Sequence, residues 1–201
     1  MCKKNFQKQL DELIKKLQEK SDVPSLLLHS CCAPCSSYVL EYLSKYFYIT
    51  VYFYNPNIQP YDEYQKRYEA QKKLISSMDF KYPVYLIEGK YEVNKFMKIS
   101  KGLELLPEGN ERCINCYILR LSESAIVADK FSFDFFTTTL TISPYKDSQI
   151  INTIGKNIAA KYNSNFLYSD FKKRDGYKKS IMLSKRYDLY RQNYCGCIPF
   201  I

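Results

Sequence analysis

Apolar positions near the start of the chain recur at helical spacing. Phe6, Leu10, Leu13, Ile14 and Leu17 share one face, which predicts an amphipathic helix that closes before Pro24. From there the period changes repeatedly. Ser25–His29 (SLLLH) reads as a short buried strand and Ser36–Tyr46 as a helix; Tyr48–Tyr54 (YITVYFY), aromatic and β-branched, reads as a second strand. The turn-rich run Asn55-Pro56-Asn57-Ile58-Gln59-Pro60 follows as a loop, then a helix over Asp62–Met78, a strand over Val84–Ile87 and a helix over Glu92–Ser100. A loop over Leu106–Glu111 leads to a helix from Ile114 to Lys130. The remaining elements are a strand over Phe133–Leu140, a helix over Asp147–Tyr162, a short strand over Asn165–Tyr168, a basic loop and a helix ending near Tyr187. No internal repeat or low-complexity linker interrupts this order.

Strands separated by helices of ten or more residues need parallel crossovers, so the pattern predicts an α/β fold, a three-layer sandwich around a mainly parallel sheet. Residues 1–201 are expected as one domain, with residues 1–22 a helical extension. Ligands of such sheets bind outside the carboxyl ends of the strands. Three segments fall on that edge: HSCCAPC, YNPNIQP and TTLTISP.

Composition then narrows the chemistry. The 30 Lys and Arg against 21 Asp and Glu, a formal charge of +9, favour a polyanionic partner, and 20 Tyr with 12 Phe supply rings that stack on bases as well as a core. No run approaches the roughly 18–20 apolar residues of a membrane span, and the charged, helix-periodic N-terminus is unlike a secretory signal. The expectation is a cytoplasmic protein without a membrane partner. Phosphate-loop and dinucleotide fingerprints are absent, and HSCCAPC occupies the place where such a loop would follow the first strand, so no nucleotide cofactor is expected.

Seven of the eight cysteines are grouped: Cys31, Cys32 and Cys35; Cys113 and Cys116 in RCINC; Cys195 and Cys197 in YCGC. Cys2 stands apart and reads as an incidental thiol. In a reducing compartment such grouping points to chemistry rather than structural disulfides. A thioredoxin-like pair in Cys32-Ala33-Pro34-Cys35 explains two cysteines and leaves five without a role. A structural zinc in a non-catalytic RNA-binding module explains four. Cys31 and Cys32, being adjacent, are expected to point apart and to serve different sites. A cubane iron–sulfur cluster takes four thiolates and leaves three for a second metal or a redox disulfide, which accounts for all seven. The one histidine, His29, reads either as a satisfied buried ring or as support for a metal ligand.

HSCCAPC, YNPNIQP followed by EYQKR, RCINC, TTLTISPYK and YRQNYCGC, in that order from about Leu26 to Cys197, resemble the QueH epoxyqueuosine reductases. The resemblance implies a fold similar to the adenine-nucleotide hydrolase-like, Rossmann-like group. It implies reduction of the epoxide of epoxyqueuosine at the wobble position of tRNAs for Asp, Asn, His and Tyr, the last step of queuosine synthesis. It further implies a 4Fe–4S cluster with a nearby iron, no cobalamin, and an external electron donor. Two divisions of the cysteines stay open. In one, Cys32, Cys113, Cys116 and Cys195 hold the cluster and Cys31, Cys35 and Cys197 the second metal. In the other, Cys31, Cys32, Cys113 and Cys116 hold the cluster and Cys195 and Cys197 form a redox pair. A relative can carry aspartate at the position of Cys35. Tyr194 is a candidate proton donor as well as a structural tyrosine. Asn55, Asn57 and Gln59 are candidates for contact with the base or ribose, and Lys172, Lys173 and Arg174 for contact with phosphate.

Overall fold

The computed structural model describes residues 4–197, so Cys2 lies outside the described residues. Five strands form one all-parallel sheet: β1 (Ser25–His29), β2 (Tyr48–Phe53), β3 (Val84–Glu88), β4 (Phe135–Thr138) and β5 (Asn165–Phe166), in the order β3-β2-β1-β4-β5. The helices are α1 (Phe6–Lys20), α2 (Ala33–Leu43), α3 (Tyr61–Ser77), α4 (Val93–Ser100), α5 (Glu111–Lys130), α6 (Ser148–Ala159) and α7 (Gly176–Arg186). The expected α/β sandwich is observed, and its topology is Rossmann-like.

The central strand shows why the sheet is covered on both faces. Leu26, Leu27 and Leu28 are all fully buried although strand alternation sends them to opposite sides. Leu26 and Leu28 join a core with Leu10, Ile14 and Leu17 of α1, Val39 and Leu40 of α2, Leu74 of α3 and Leu183 of α7. Leu27 faces the other layer, with Leu121 and Ala125 of α5, Ile151 of α6, Phe136 and Phe166. Register runs Leu26↔Ile49 and Leu26↔Phe135, ending at His29↔Tyr52 and His29↔Thr138. The side chains of Asn5 and Asp147 cap α1 and α6, accepting from the amides of Lys8 and Gln149.

Three of the boundaries that differ from the sequence expectation fall at the site. α2 begins at Ala33 rather than Ser36, since Pro34 is pre-organised for a first helical turn, so the cysteine cluster is itself the helix start. α5 begins at Glu111 rather than Ile114. Asn110 is extended and its carbonyl accepts from the amides of Cys113 and Ile114 at 2.8 and 3.2 Å, so both cysteines ride on the helix instead of on the preceding loop. The strand expected over Phe133–Leu140 shortens to β4 and continues as a 3₁₀ turn over Thr139–Ile142, because the Thr138 hydroxyl takes the Leu140 amide at 3.1 Å.

α6 lies close on β5, where a β-carbon on Gly155 would come within 2.4 Å of the Phe166 ring. Gly155→Ala is therefore expected to destabilise the fold by about 1–3 kcal/mol through overpacking. Chemical denaturation checks this, and Gly155→Ala combined with Phe166→Leu should recover part of the loss.

Candidate metal and substrate site

Strands β1 and β4 are neighbours in the sheet, yet the chain leaves β1 toward β2 on one side and reaches β4 only later on the other. The connections diverge there and open a crevice at the carboxyl edge. HSCCAPC, the Asn55–Ile58 loop and Ser143–Lys146 all reach it as expected, and so does the C-terminal segment Arg191–Cys195. They line one cavity of about 470 Å³.

Cys31, Cys32 and Cys35 meet at its floor. Their three sulfurs lie within 4.8 Å of one another, and Cys31 Sγ and Cys32 Sγ are 3.9 Å apart. The expectation that Cys31 and Cys32 point apart is thereby overturned. Strand alternation ends at His29, and Cys32 is the extended residue that starts α2, so the chain turns between the two thiols. A helix N-terminus favours thiolate at this place. Hydrogen bonds from Cys32 and then Cys35, with lesser help from Arg120 and Thr139, hold the Cys31 thiol well below its ordinary pKa; its partner Cys32 is pushed up to about 12. The Thr139 hydroxyl donates to Cys31 Sγ at 3.3 Å, and its oxygen accepts from the Cys31 amide at 3.1 Å.

Of the other four clustered thiols, Cys195 lines the same cavity and Cys113 packs in the core that Cys31 borders. Cys113 and Cys116, one turn apart on α5, are both buried; Cys116 and Cys197 pack together against Phe96, with Cys195 alongside. A hydrogen bond with Cys197 draws the Cys195 thiol down to about 6. Burial pushes Cys116 up to about 11. The Gly109 amide donates to Cys113 Sγ at 3.3 Å and Arg120 Nη1 to Cys116 Sγ at 3.9 Å, the kind of donor that tunes a thiolate ligand. All seven of these cysteines are free thiols.

Arg120, one turn beyond Cys116, is buried at 2% exposure. Its Nε donates to His29 Nε2 at 3.2 Å and its Nη2 to Asn55 Oδ1. The Thr138 hydroxyl lies 2.8 Å from His29 Nδ1 and the Tyr54 carbonyl 3.1 Å from Nε2, so both ring nitrogens have partners. Burial first, and the Arg120 charge second, lower the His29 pKa to about 3, so the ring is neutral. His29 is thus a satisfied buried ring that also orients the cation beside the sulfurs.

Arg67, from the EYQKR segment, plays the matching role for the C-terminal residues. It is buried against Glu63 at 2.7 Å, donates to the Cys195 carbonyl at 2.9 Å, and stacks over the Tyr194 ring at 5.1 Å. Glu63 also accepts from the Tyr190 hydroxyl at 2.8 Å. Gly196 between the last two cysteines has φ +94°, a left-handed conformation that favours glycine, and a β-carbon there would sit 3.1 Å from Arg67 Nη2, a tight contact.

Asn55 and Asn57 both line the cavity, but with different standing. Asn55 donates to the Ser30 carbonyl at 2.9 Å and accepts from Arg120, so both ends of its amide serve the scaffold. Asn57 Oδ1 is buried with no partner. Gln59 does not reach this cavity; its amide binds the Gly196 carbonyl at 3.0 Å and it borders a second cavity beyond Cys197. Tyr194 lines the main cavity. Lys172 and Arg174 are paired with Asp170 and Asp11 at 2.9 and 2.6 Å, and Lys173 is exposed. Lys172 and Lys173 border a shallower recess that shares Pro144, Tyr145 and Lys146 with the cysteine cavity.

Sequence reasoning passed over Arg120, Lys146 and Gln192. Arg120 was findable, since it stands four residues after Cys116 on the same helix face. Lys146, in TTLTISPYK, is largely buried against Glu108 at 2.6 Å. Burial opposes its charge, but Cys195 and Glu108 outweigh that and hold its pKa above the ordinary lysine value. Gln192 presents a buried, unpartnered Oε1 among the cavity residues, a feature that only the folded C-terminal segment reveals.

A parallel sheet whose switch point carries three cysteines that could hold a metal ion places the chain among α/β proteins with a thiol-lined site. The family model described as "Epoxyqueuosine reductase QueH" matches residues 26–199. Epoxyqueuosine reductase QueH of Streptococcus pyogenes serotype M1 is 42% identical over 196 residues, covering 96% of this chain and 77% of the relative. The protein of the same name from Staphylococcus epidermidis is 42% identical over 198 residues, covering 96% and 83%. That from Thermotoga maritima is 38% identical over 179 residues, covering 87% and 88%. The chain belongs to the QueH family of epoxyqueuosine reductases, which are oxidoreductases. Neither a thioredoxin-like disulfide oxidoreductase nor a zinc-bound RNA module is favoured. No helix among the described residues is long and apolar enough to cross a membrane.

Arg67→Gln is expected to cost about 3–5 kcal/mol, because it leaves Glu63 buried without its cation. It also frees the carbonyls of Tyr194 and Cys195. Denaturation midpoints and limited proteolysis check this, with cleavage expected to appear between residues 190 and 197.

Proposed function

We propose that the seven clustered thiols hold a 4Fe–4S cluster and a second iron, and that with both in place the chain reduces the epoxide of epoxyqueuosine in the anticodon of tRNA. The observation behind this reading is the meeting of Cys31, Cys32 and Cys35 at a cavity that Cys195 also lines, large enough for a single modified base, with Cys116 and Cys197 packed beside Cys195. The donor set fits the groups. Four thiolates suit a cubane and a soft three-thiol site suits a single iron, while Arg120 and Lys146 supply buried positive charge beside them. The division we favour is Cys113, Cys116, Cys195 and Cys197 for the cluster and Cys31, Cys32 and Cys35 for the second metal. It differs from both divisions that the sequence left open, because Cys32 sits with Cys31 and Cys35, and Cys197 sits with Cys116.

When bound, these groups would supply one-electron transfer and Lewis acidity toward the epoxide oxygen. The protein's own side chains do the rest. Asn57 Oδ1 and Gln192 Oε1, buried acceptors without protein partners, are suited to the hydroxyl and N–H donors of the modified base, whereas Asn55 keeps Arg120 in place. Tyr194, held by Arg67 at the cavity wall, is the candidate proton donor. The neutral His29 is enclosed behind Arg120 and does not face substrate. Lys173, with Lys178, Lys179 and Arg191 of the exposed surface, is suited to the phosphates that flank a splayed anticodon base. tRNAs for Asp, Asn, His and Tyr are the expected acceptors, in the cytoplasm. An external donor supplies the electrons, and neither cobalamin nor a nucleotide takes part.

Anaerobically reconstituted protein should show a broad band near about 400 nm, and with dithionite should convert epoxyqueuosine tRNA to a product lighter by one oxygen atom. A colourless, zinc-only protein after reconstitution with iron and sulfide contradicts the reading. Cys113→Ser should lose the cluster and all turnover. Cys35→Ala should lose about one iron and keep the cubane spectrum, and Cys35→Asp should keep partial activity, since carboxylate also ligates iron. Loss of the cubane in Cys35→Ala would place Cys35 on the cluster instead.

A further inference from the structure

The segment Cys195-Gly196-Cys197 is a wall with a cavity on each side. Cys195 lines the cavity just assigned to the substrate. Cys197 lines a second one of about 360 Å³, bordered by Gln59, Phe96, Met97, Lys98, Lys101 and Arg112. The lining of this second cavity carries three cationic side chains, Lys98, Lys101 and Arg112, against a single carboxylate, Glu104. Lys98 and Lys101 are exposed and make no ion pair among the described residues. Arg112 is buried with its Nε unpartnered, and its Nη1 is spent on the Glu104 carbonyl rather than on a carboxylate. Apolar side chains stand out between the charges: Met97 is 54% exposed and Leu105, next to Glu104, 85%.

Resting on the functional reading above, we infer that this face is the docking site of an acidic one-electron carrier protein, of the ferredoxin class, which delivers electrons through Cys197. The deoxygenation needs them by a route other than the substrate cavity, which the anticodon base fills. In each turnover both C–O bonds of the epoxide break, a C=C bond forms, and the oxygen takes up two protons and leaves as water. The two electrons come from two reduced carriers, each oxidised by one electron. Small redox complexes bury little area and rely on charge for encounter, which suits a patch of lysines around a few exposed apolar side chains. Cys197 is buried at the bottom of the patch, packed with Cys116 and Phe96. A carrier seated there therefore approaches the four-thiol group without entering the substrate cavity.

The test uses reconstituted holoenzyme, a plant-type 2Fe–2S ferredoxin as the acidic carrier, and dithionite as a small reductant. Lys98→Glu/Lys101→Glu should slow ferredoxin-driven cluster reduction, followed by stopped-flow absorbance, about tenfold or more at low salt. It should weaken ferredoxin binding by calorimetry to a similar extent. Dithionite-driven turnover and iron content should stay at the unmodified level, and added salt should slow the unmodified protein toward the variant. Ferredoxin binding and reduction at the unmodified rate in the double variant would overturn the inference, as would an equal loss of dithionite-driven turnover. Failure of the unmodified holoenzyme to make product with dithionite sinks the functional reading instead, and ferredoxin binding still decides the docking site.

Discussion

One buried guanidinium organises the site. Arg120 is 2% exposed, and no carboxylate pairs with it among the described residues; its neighbours are the neutral ring of His29, the amide oxygen of Asn55 and the sulfur of Cys116. A charge taken out of water costs several kcal/mol unless opposite charge meets it. Here the available opposite charge is on sulfur: Cys31 and Cys195, whose thiols are drawn toward thiolate, offset the burial of Arg120. Lys146 is offset both by Glu108 at 2.6 Å and by Cys195. An anionic, thiolate-bound centre makes sense of Arg120, which seven neutral thiols would leave poorly compensated.

The fold serves this arrangement through its switch point. Because connections diverge between β1 and β4, two helix N-termini from opposite layers of the sandwich come together at one edge, α2 with its three cysteines and α5 with two. The last two cysteines arrive from a segment with no regular structure of its own. They depend on Arg67, Glu63 and Gly196, which replace helix or strand hydrogen bonds with side-chain ones. The C-terminal part of the site is therefore held by one buried ion pair and the Gln59–Gly196 backbone hydrogen bond, and the rest by the sheet.

Much of this was legible in the sequence. Alternation and helical period gave every strand and helix, and the loops expected at the carboxyl edge do line one cavity. The errors came where side chains override period. Pro34 and Asn110 moved two helix starts onto the cysteines, and the Thr138 hydroxyl ended a strand early. The expectation that adjacent Cys31 and Cys32 diverge applied strand geometry one residue past the strand's end. Asn55 was read as a substrate contact because a loop asparagine carries no mark of its tertiary partner, Arg120. Gln192 and Asn57 stand out only once burial shows which polar atoms lack partners. Arg174 looked like a free cation in the sequence because its partner, Asp11, lies far away along the chain, whereas the partner of Lys172, Asp170, stands two residues before it.

The account stands on the division of the seven thiols into three and four, and crystals of anaerobically reconstituted protein test it directly by anomalous scattering at the iron edge. The predicted map has a four-iron peak bound by Cys113, Cys116, Cys195 and Cys197, and a separate single-iron peak bound by Cys31, Cys32 and Cys35. A cluster ligated jointly by Cys31 or Cys32 and the α5 cysteines, with Cys195 and Cys197 joined as a disulfide, would contradict it.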